Sequence, residues 1–277
     1  AAGYEMACRA GHACDPPGQY RRGFHPTSTS GAFGAAVAAS CLFDLSIEKM
    51  LHAVGVAGSF ASGNMEYLAQ GTLTKRVQPG QAAHAGVLAA LLAARGFTGP
   101  STILEGKSGY LHAYADASDP ARLTAGLGET WEIQLTGIKA YGCCRYMQSA
   151  MESAQRAVRG QTFDPARVKA VRVACLSAGW GLVAEPIEQK WKPETRVDAQ
   201  FSLPFGVATV LVNGRATVNE FREDQLRHPA ILGLARKVTI HRDPKVDGAY
   251  PALWPSWCEI DLDDGRTLRG DVNTTKG

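Results

Sequence analysis

From Gly31 to Ser40 the chain reads Gly-Ala-Phe-Gly-Ala-Ala-Val-Ala-Ala-Ser, and Thr27–Ser30 extend the same small-residue character upstream. A helix built this way has little apolar area of its own to bury. It gains stability only where neighbouring backbones come close enough for many weak contacts to add up. The segment is therefore expected as a tightly packed, central helix, spanning about Ser28 to Phe43, in a helical bundle. Immediately before it stands Arg22-Gly23-Phe24-His25-Pro26. Pro26 disfavours helical φ/ψ at His25, which places the imidazole on the loop leading into the helix. Thr27, Ser28, Thr29 and Ser30 are all competent N-caps. A titratable ring thus stands at a helix N-terminus, where backbone N–H groups favour anions.

The remainder of the chain divides by texture. Residues 1–14 read as a helix closed by Asp15-Pro16-Pro17-Gly18. Ser46 starts a helix with Ile47, Met50, Leu51 and Val54 at helical spacing, expected to fray at Gly55, Gly58 and Ser59. Residues 61–74 read as a polar link, and Pro79 as the opening of a helix that runs to Ala94 and stops at Arg95-Gly96. Asp119-Pro120 opens a short further helix. After Gly128 strand patterns appear, at Trp131–Leu135, Val168–Val173, Lys237–His241, Cys258–Leu262 and Thr267–Val272. Asp263-Asp264-Gly265 is a hairpin signal between the last two. Met147–Val158 and about Asp198–Val212 are expected to be helical. The expected fold class is α+β overall, with an all-α domain over 1–128 and an α+β domain over 129–277.

Composition narrows the function classes. A formal charge of +3 across 277 residues, with no basic run, argues against nucleic acid. The longest apolar runs are too short for a membrane span. Seven Cys without paired spacing, and no signal peptide, make reduced thiols in a cytoplasm the expectation. The chain opens without Met inside a helical pattern and ends on Thr275-Lys276-Gly277, so it is expected to be a fragment of a longer protein.

Four stretches could carry chemistry. His25 is either a loop histidine bonded to a backbone carbonyl or a general acid or base; nothing local decides. Lys75 and Arg76 precede the Pro79 helix, a placement that opposes the helix dipole unless an anion lies between. Both residues also fit a solvated surface. Gly137–Tyr146 places Lys139 and Arg145 near element ends, offering a point charge and a planar fork for a carboxylate. Within it Cys143-Cys144 has no second pair to make a metal site, so packing is the reading. Ser202, in Gln200-Phe201-Ser202-Leu203-Pro204-Phe205, lacks a nucleophile elbow and fits a cap or a substrate hydrogen bond. His84 and His112 read as surface or helix-face residues.

Taken in order, Arg22-Gly23-Phe24-His25-Pro26-Thr27, Thr74-Lys75 ahead of Pro79–Ala83, Ile138–Arg145 and Gln200–Phe205 resemble the MmgE/PrpD family. That family includes 2-methylcitrate dehydratase, cis-aconitate decarboxylase and iminodisuccinate epimerase. The resemblance covers essentially the whole chain. It implies a helical domain followed by a smaller α+β domain with the active site in the cleft between them, usually in a homodimer. It also implies a metal-free, cofactor-free enzyme acting on small polycarboxylates. By family position His25, Lys75 and Lys139 are the catalytic candidates. The same resemblance points to Arg145, Cys144 and Phe205 as substrate-binding, and Arg76 and Ser202 join them as substrate-binding candidates from their own stretches. Cys144 stands where the decarboxylase branch has a His, and Phe205 where it has a Tyr, and both departures argue against that branch. The family also carries an acidic and His-containing motif upstream of the first residue here. The expected function is therefore a 2-methylcitrate dehydratase-like lyase of propionate metabolism. An epimerase, isomerase or decarboxylase of a related acid is the alternative, as is a non-catalytic polyacid-binding relative.

Overall fold

A computed structural model describes residues 1–276; Gly277, the last residue of the expected turn-like ending, lies outside them. The chain divides into two compact units, Ala1–Thr136 and Gly137–Gly277.

The first unit is all helical. Its helices are α1 (Ala2–Ala13), α2 (Pro16–Arg21), α3 (Pro26–Leu42), α4 (Ile47–Phe60), α5 (Tyr67–Gln70), α6 (Thr74–Ala94) and α7 (Tyr110–Ala113), with short 3-10 turns at Pro120–Leu123 and Glu132–Leu135. As the small-residue run requires, α3 is central and packs against α1, α4 and α6. Its backbone approaches are too close for a side chain. A Cβ on Gly34 would lie 2.5 Å from the Gly3 carbonyl oxygen, and one on Gly86 of α6 would lie 2.5 Å from the Ala36 nitrogen. The core that results is mostly Ala, with Phe33, Val56, Tyr110 and Leu111 as its larger members. Overpacking such contacts costs about 1–3 kcal/mol per site.

Several expectations for this unit give way to packing. The residue preceding α3 is His25 itself, in extended conformation with Pro26 at the first helical position. Thr29 and Ser30 are buried inside the helix instead of capping it: Thr29 bonds Gln19 Oε1 at 2.9 Å and Ser30 donates to the Pro26 carbonyl at 2.8 Å. Ser46 does cap α4, accepting from Lys49 N at 3.3 Å, but α4 continues through Gly55, Gly58 and Ser59 to Phe60. Those glycines receive neighbours: a Cβ on Gly55 would meet the Pro100 backbone at 2.6 Å. Trp131–Leu135, read as a strand, is a 3-10 turn tied to α1, with Glu5 accepting from Ile133 N and Arg9 donating to the Thr130 carbonyl.

The second unit holds α8 (Arg145–Val158), β1 (Val168–Ala174), α9 (Trp180–Val183), α10 (Ile187–Trp191), α11 (Arg196–Gln200), α12 (Leu203–Asn213), α13 (Pro229–Ala235), β2 (Val238–His241), α14 (Pro244–Ala249), β3 (Ser256–Leu262) and β4 (Thr267–Val272). The sheet order is β2-β1-β3-β4, parallel between β1 and β2 and antiparallel elsewhere. Strands β3 and β4 bury alternate residues, as one-faced antiparallel strands do. The buried face receives α8, and α12 packs against α8 in turn. Across the other face Glu259 accepts from Arg172 at 3.1 Å and from Arg269 at 2.6 Å. The single helix expected over 198–212 is broken into α11 and α12, because Ser202 adopts an extended conformation and caps α12.

Candidate functional site

In the first unit three segments converge on His25. The loop before α3 pairs with the loop before α5: His25 N donates to the Gly63 carbonyl at 3.1 Å, Met65 N to the Gly23 carbonyl at 2.9 Å, and Phe24 forms an antiparallel bridge with Asn64. The start of α6 supplies the third side. Helix α6 begins at Thr74, five residues before the expected start, so Pro79 lies inside it. Lys75 and Arg76 therefore sit in its first turn, and Lys75, Gln78 and Ala82 fall on one face at three- and four-residue spacing.

That face gives His25 its environment. The ring is buried, and its Nδ1 lies 2.6 Å from Gln78 Oε1. Gln78 Nε2 donates to the Asn64 carbonyl at 2.7 Å. The Tyr67 ring stands edge-on to the imidazole, with centroids 5.8 Å apart. Lys75 is half-buried; its Nζ reaches the Tyr67 hydroxyl at 3.4 Å and lies 5.2 Å from that ring's centroid. Burial and, after it, the Lys75 charge hold the imidazole below its ordinary pKa, against a smaller upward pull from the Gln78 hydrogen bond. No hydrogen bond engages Nε2 among the described residues. Both lowering effects favour the neutral imidazole, whose Nδ1 is the engaged nitrogen. Arg76, by contrast, is exposed on the next face of the helix.

In the second unit a loop leads into α8. Residues 137–140 are exposed, Lys139 among them. The chain is then pinned: Gly142 N donates to the Ala216 carbonyl at 3.1 Å, Gln200 Nε2 to the Gly142 carbonyl at 2.6 Å, and Cys144 N to the Gln200 carbonyl at 2.9 Å. Cys144 is the N-cap residue of α8, and Arg145 its first residue. Arg145 Nη1 donates to Gln148 Oε1 at 3.2 Å and to the Lys276 carbonyl at 3.1 Å, and the guanidinium lies 5.7 Å from a Trp254 ring centroid. Cys143 is buried, which pushes its thiol pKa far up, so it packs as a small apolar residue. Among the described residues, no three His, Cys, Asp or Glu side chains gather closely enough to hold a metal ion.

Ser202 and Phe205 lie deeper than a substrate contact would. The Ser202 hydroxyl accepts from Phe205 N at 3.1 Å and donates to the Lys190 carbonyl, in a fully buried position. Phe205 is also fully buried, its ring 6.2 Å from that of Phe221. The structure thus brings His25 and Lys75 together in one unit. In the other it gathers Cys144 and Arg145 behind Lys139, with Ser202 and Phe205 placed as support. Residue-type reasoning missed Gln78, Tyr67, Asn64 and Gln148. Gln78 was detectable in principle, since it follows Lys75 by three residues once Pro79 is allowed inside the helix.

Comparison with known proteins covers both units. The model of the MmgE/PrpD N-terminal domain matches residues 1–123, and that of the MmgE/PrpD C-terminal domain matches residues 141–277. Cis-aconitate decarboxylase of Aspergillus terreus is 28% identical over 291 aligned residues, covering 99% of this chain and 58% of that protein. The cis-aconitate decarboxylases of Mus musculus and Homo sapiens are each 27% identical, covering 99% of this chain and 56% of their own length. The chain therefore spans somewhat under three-fifths of these relatives. No helix among the described residues is long and apolar enough to cross a membrane.

Proposed function

The chain belongs to the MmgE/PrpD family, and from that premise we propose that it serves a lyase of small polycarboxylates in which His25 moves the proton. The observation that carries this reading is the geometry of His25: buried, Nδ1 engaged by Gln78, and Nε2 without a hydrogen bond among the described residues, with burial and the Lys75 charge lowering its pKa. A neutral ring held this way is a general base at ordinary pH.

The reaction that fits is dehydration of a hydroxy-polycarboxylate of the 2-methylcitrate type. His25 Nε2 takes a proton from the carbon next to a carboxylate. The electron pair left behind forms the double bond as the neighbouring C–O bond breaks, and the hydroxyl departs as water by taking the proton that His25 has accepted, which returns the ring to its neutral form. Negative charge builds on the carboxylate flanking the deprotonated carbon, and fixed cations lower the energy of that charge. Lys75, beside His25 in the first unit, takes this role; Lys139 and Arg145 of the second unit are proposed as carboxylate-binding residues, Arg145 offering a fork that matches a carboxylate. Arg76 adds long-range positive charge from its exposed position. Ser202 and Phe205 belong to the core of the second unit, and Cys144 sets the start of α8.

Decarboxylation is the second reading, favoured by the curated relatives, which are cis-aconitate decarboxylases. Against it stand Cys144 and Phe205, a thiol and a bare ring at positions where that branch places His and Tyr. Incubating the protein with 2-methylcitrate, citrate, cis-aconitate and iminodisuccinate tests the choice. Loss of water from a hydroxy acid is expected. Release of carbon dioxide from cis-aconitate supports the second reading instead. Loss of optical activity at constant mass, or tight binding without turnover, overturns both.

A further inference from the structure

We infer that Gln78 is a positioning residue that fixes the neutral His25 ring in its Nδ1–H form, so that Nε2 carries the lone pair. The consequence for catalysis rests on the role proposed for His25, but the geometry does not depend on it.

The assignment follows from two hydrogen bonds that share one carboxamide. Gln78 Nε2 lies 2.7 Å from the Asn64 carbonyl oxygen, which can only accept. Turning the amide over would press two acceptors together at that distance. The Gln78 oxygen must therefore face His25, where it lies 2.6 Å from Nδ1. A carboxamide oxygen is also acceptor-only, so Nδ1 carries the hydrogen. In a neutral imidazole the other nitrogen is then bare.

The lock has a rigid reference. The Asn64 carbonyl cannot swing away, because the segments on either side of it are tied to the His25 loop through His25 N to the Gly63 carbonyl and Met65 N to the Gly23 carbonyl. The Gln78 backbone is fixed within α6, and its carbonyl accepts from Ser28 Oγ at 3.2 Å. Both Gln78 and His25 are buried, so water does not offer either group a ready substitute partner. A free imidazole prefers its hydrogen on Nε2, and this arrangement imposes the opposite form. One hydrogen bond between neutral groups is enough to shift such a ratio by roughly tenfold. The charged and titratable neighbours are Lys75, one turn earlier on the same helix, and Tyr67 across the ring. Neither takes the Nδ1 position.

The protein labelled with 15N-histidine provides the test, with His25→Asn identifying the His25 resonances. Spectra are recorded well above the ordinary imidazole pKa, where the ring is neutral. In the unaltered protein Nδ1 is expected with a protonated-nitrogen shift and Nε2 with a lone-pair shift. Gln78→Met, close in volume and without an acceptor, is expected to move the tautomer ratio roughly tenfold toward Nε2–H. It should also lower kcat while leaving KM in place. Should Gln78→Met fail to fold, the spectrum of the unaltered protein decides: Nδ1–H upholds the lock, and Nε2–H overturns it. An unchanged ratio in a folded Gln78→Met protein overturns it as well. The spectra need no substrate, so absence of turnover on polycarboxylates would refute the proposed function and leave this test standing.

Discussion

His25 and Arg145 each stand at the start of a helix, and the two helices hold them in opposite ways. His25 is buried, one ring nitrogen committed at 2.6 Å, and its pKa is pulled down by burial and by Lys75. Arg145 is half-buried and shared among a side-chain amide, a backbone carbonyl and an indole face, behind a loop whose Lys139 is exposed. The difference matches two physical tasks. A group that moves a proton needs a defined protonation state, which a low-dielectric pocket and a fixed tautomer supply. A charge that recognises a carboxylate gains nothing from a dry pocket, where its own desolvation cost would offset the attraction.

The sharpest way to break this contrast is to truncate each side. His25→Ala should lower kcat by about 10²–10⁴-fold, the usual size of a general-base effect, with a far smaller change in KM. Equal turnover by the variant, measured beside an unchanged unfolding midpoint, would remove His25 from the chemistry. On the other side, Arg145→Lys keeps the charge and loses the fork, so KM should rise about tenfold with kcat within a few-fold of the unaltered protein. If the pattern came out reversed, with Arg145→Lys acting on kcat and His25→Ala on KM, the division of labour proposed for the two regions would be wrong.

The two regions also differ in how much of them was legible in the residue order. The small-residue helix and its central position followed from Ala and Gly alone, because close approach leaves few alternatives. All of the strands after residue 160 were readable from their alternation, which one buried face enforces. The segment 131–135 was misread for a related reason: Trp, Ile and Leu alternate there with Glu and Gln, yet only long-range bonds to Glu5 and Arg9 set its shape. Pro79 misled in the same manner, since a proline five residues into a helix resembles a helix start when Thr74–Gln78 are taken as loop. That single shift hid Gln78, because its partnership with His25 spans 53 residues and no local pattern encodes it. Ser202 and Phe205 carry residue types suited to a site, and only burial shows them committed to the core.

A milder perturbation probes the frame around His25. Gly63 has φ of +122°, and a Cβ there would lie 2.6 Å from Ser28 Cβ and 3.2 Å from Gln78 Oε1. Gly63→Ala should cost roughly 1–3 kcal/mol in denaturant unfolding, through backbone strain and contact with the residues that hold the imidazole. Gly137→Ala or Ile138→Ala should cost far less, since the 137–140 loop is exposed. Equal losses at both places would mean that the two regions are equally constrained.

The smallest expected effect is also the most specific. Burial and the Lys75 charge both depress the His25 pKa, so the neutral form persists to a pH below the ordinary 6.5 of histidine. The acid limb of kcat/KM should accordingly lie below that value. The sign for stability follows from the same shift. The unfolded chain binds the proton at higher pH than the folded one, so the contribution of neutral His25 is complete above 6.5 and is lost as pH falls through the folded pKa. Replacing Lys75 with Met removes the repelling charge and leaves burial in place. The acid limb should therefore move toward higher pH without reaching the ordinary value, whatever the variant's absolute rate. A limb that stays fixed would show that Lys75 does not sense the imidazole, and a limb that moves the other way would mean that Lys75 and the His25 proton are not competing charges at all.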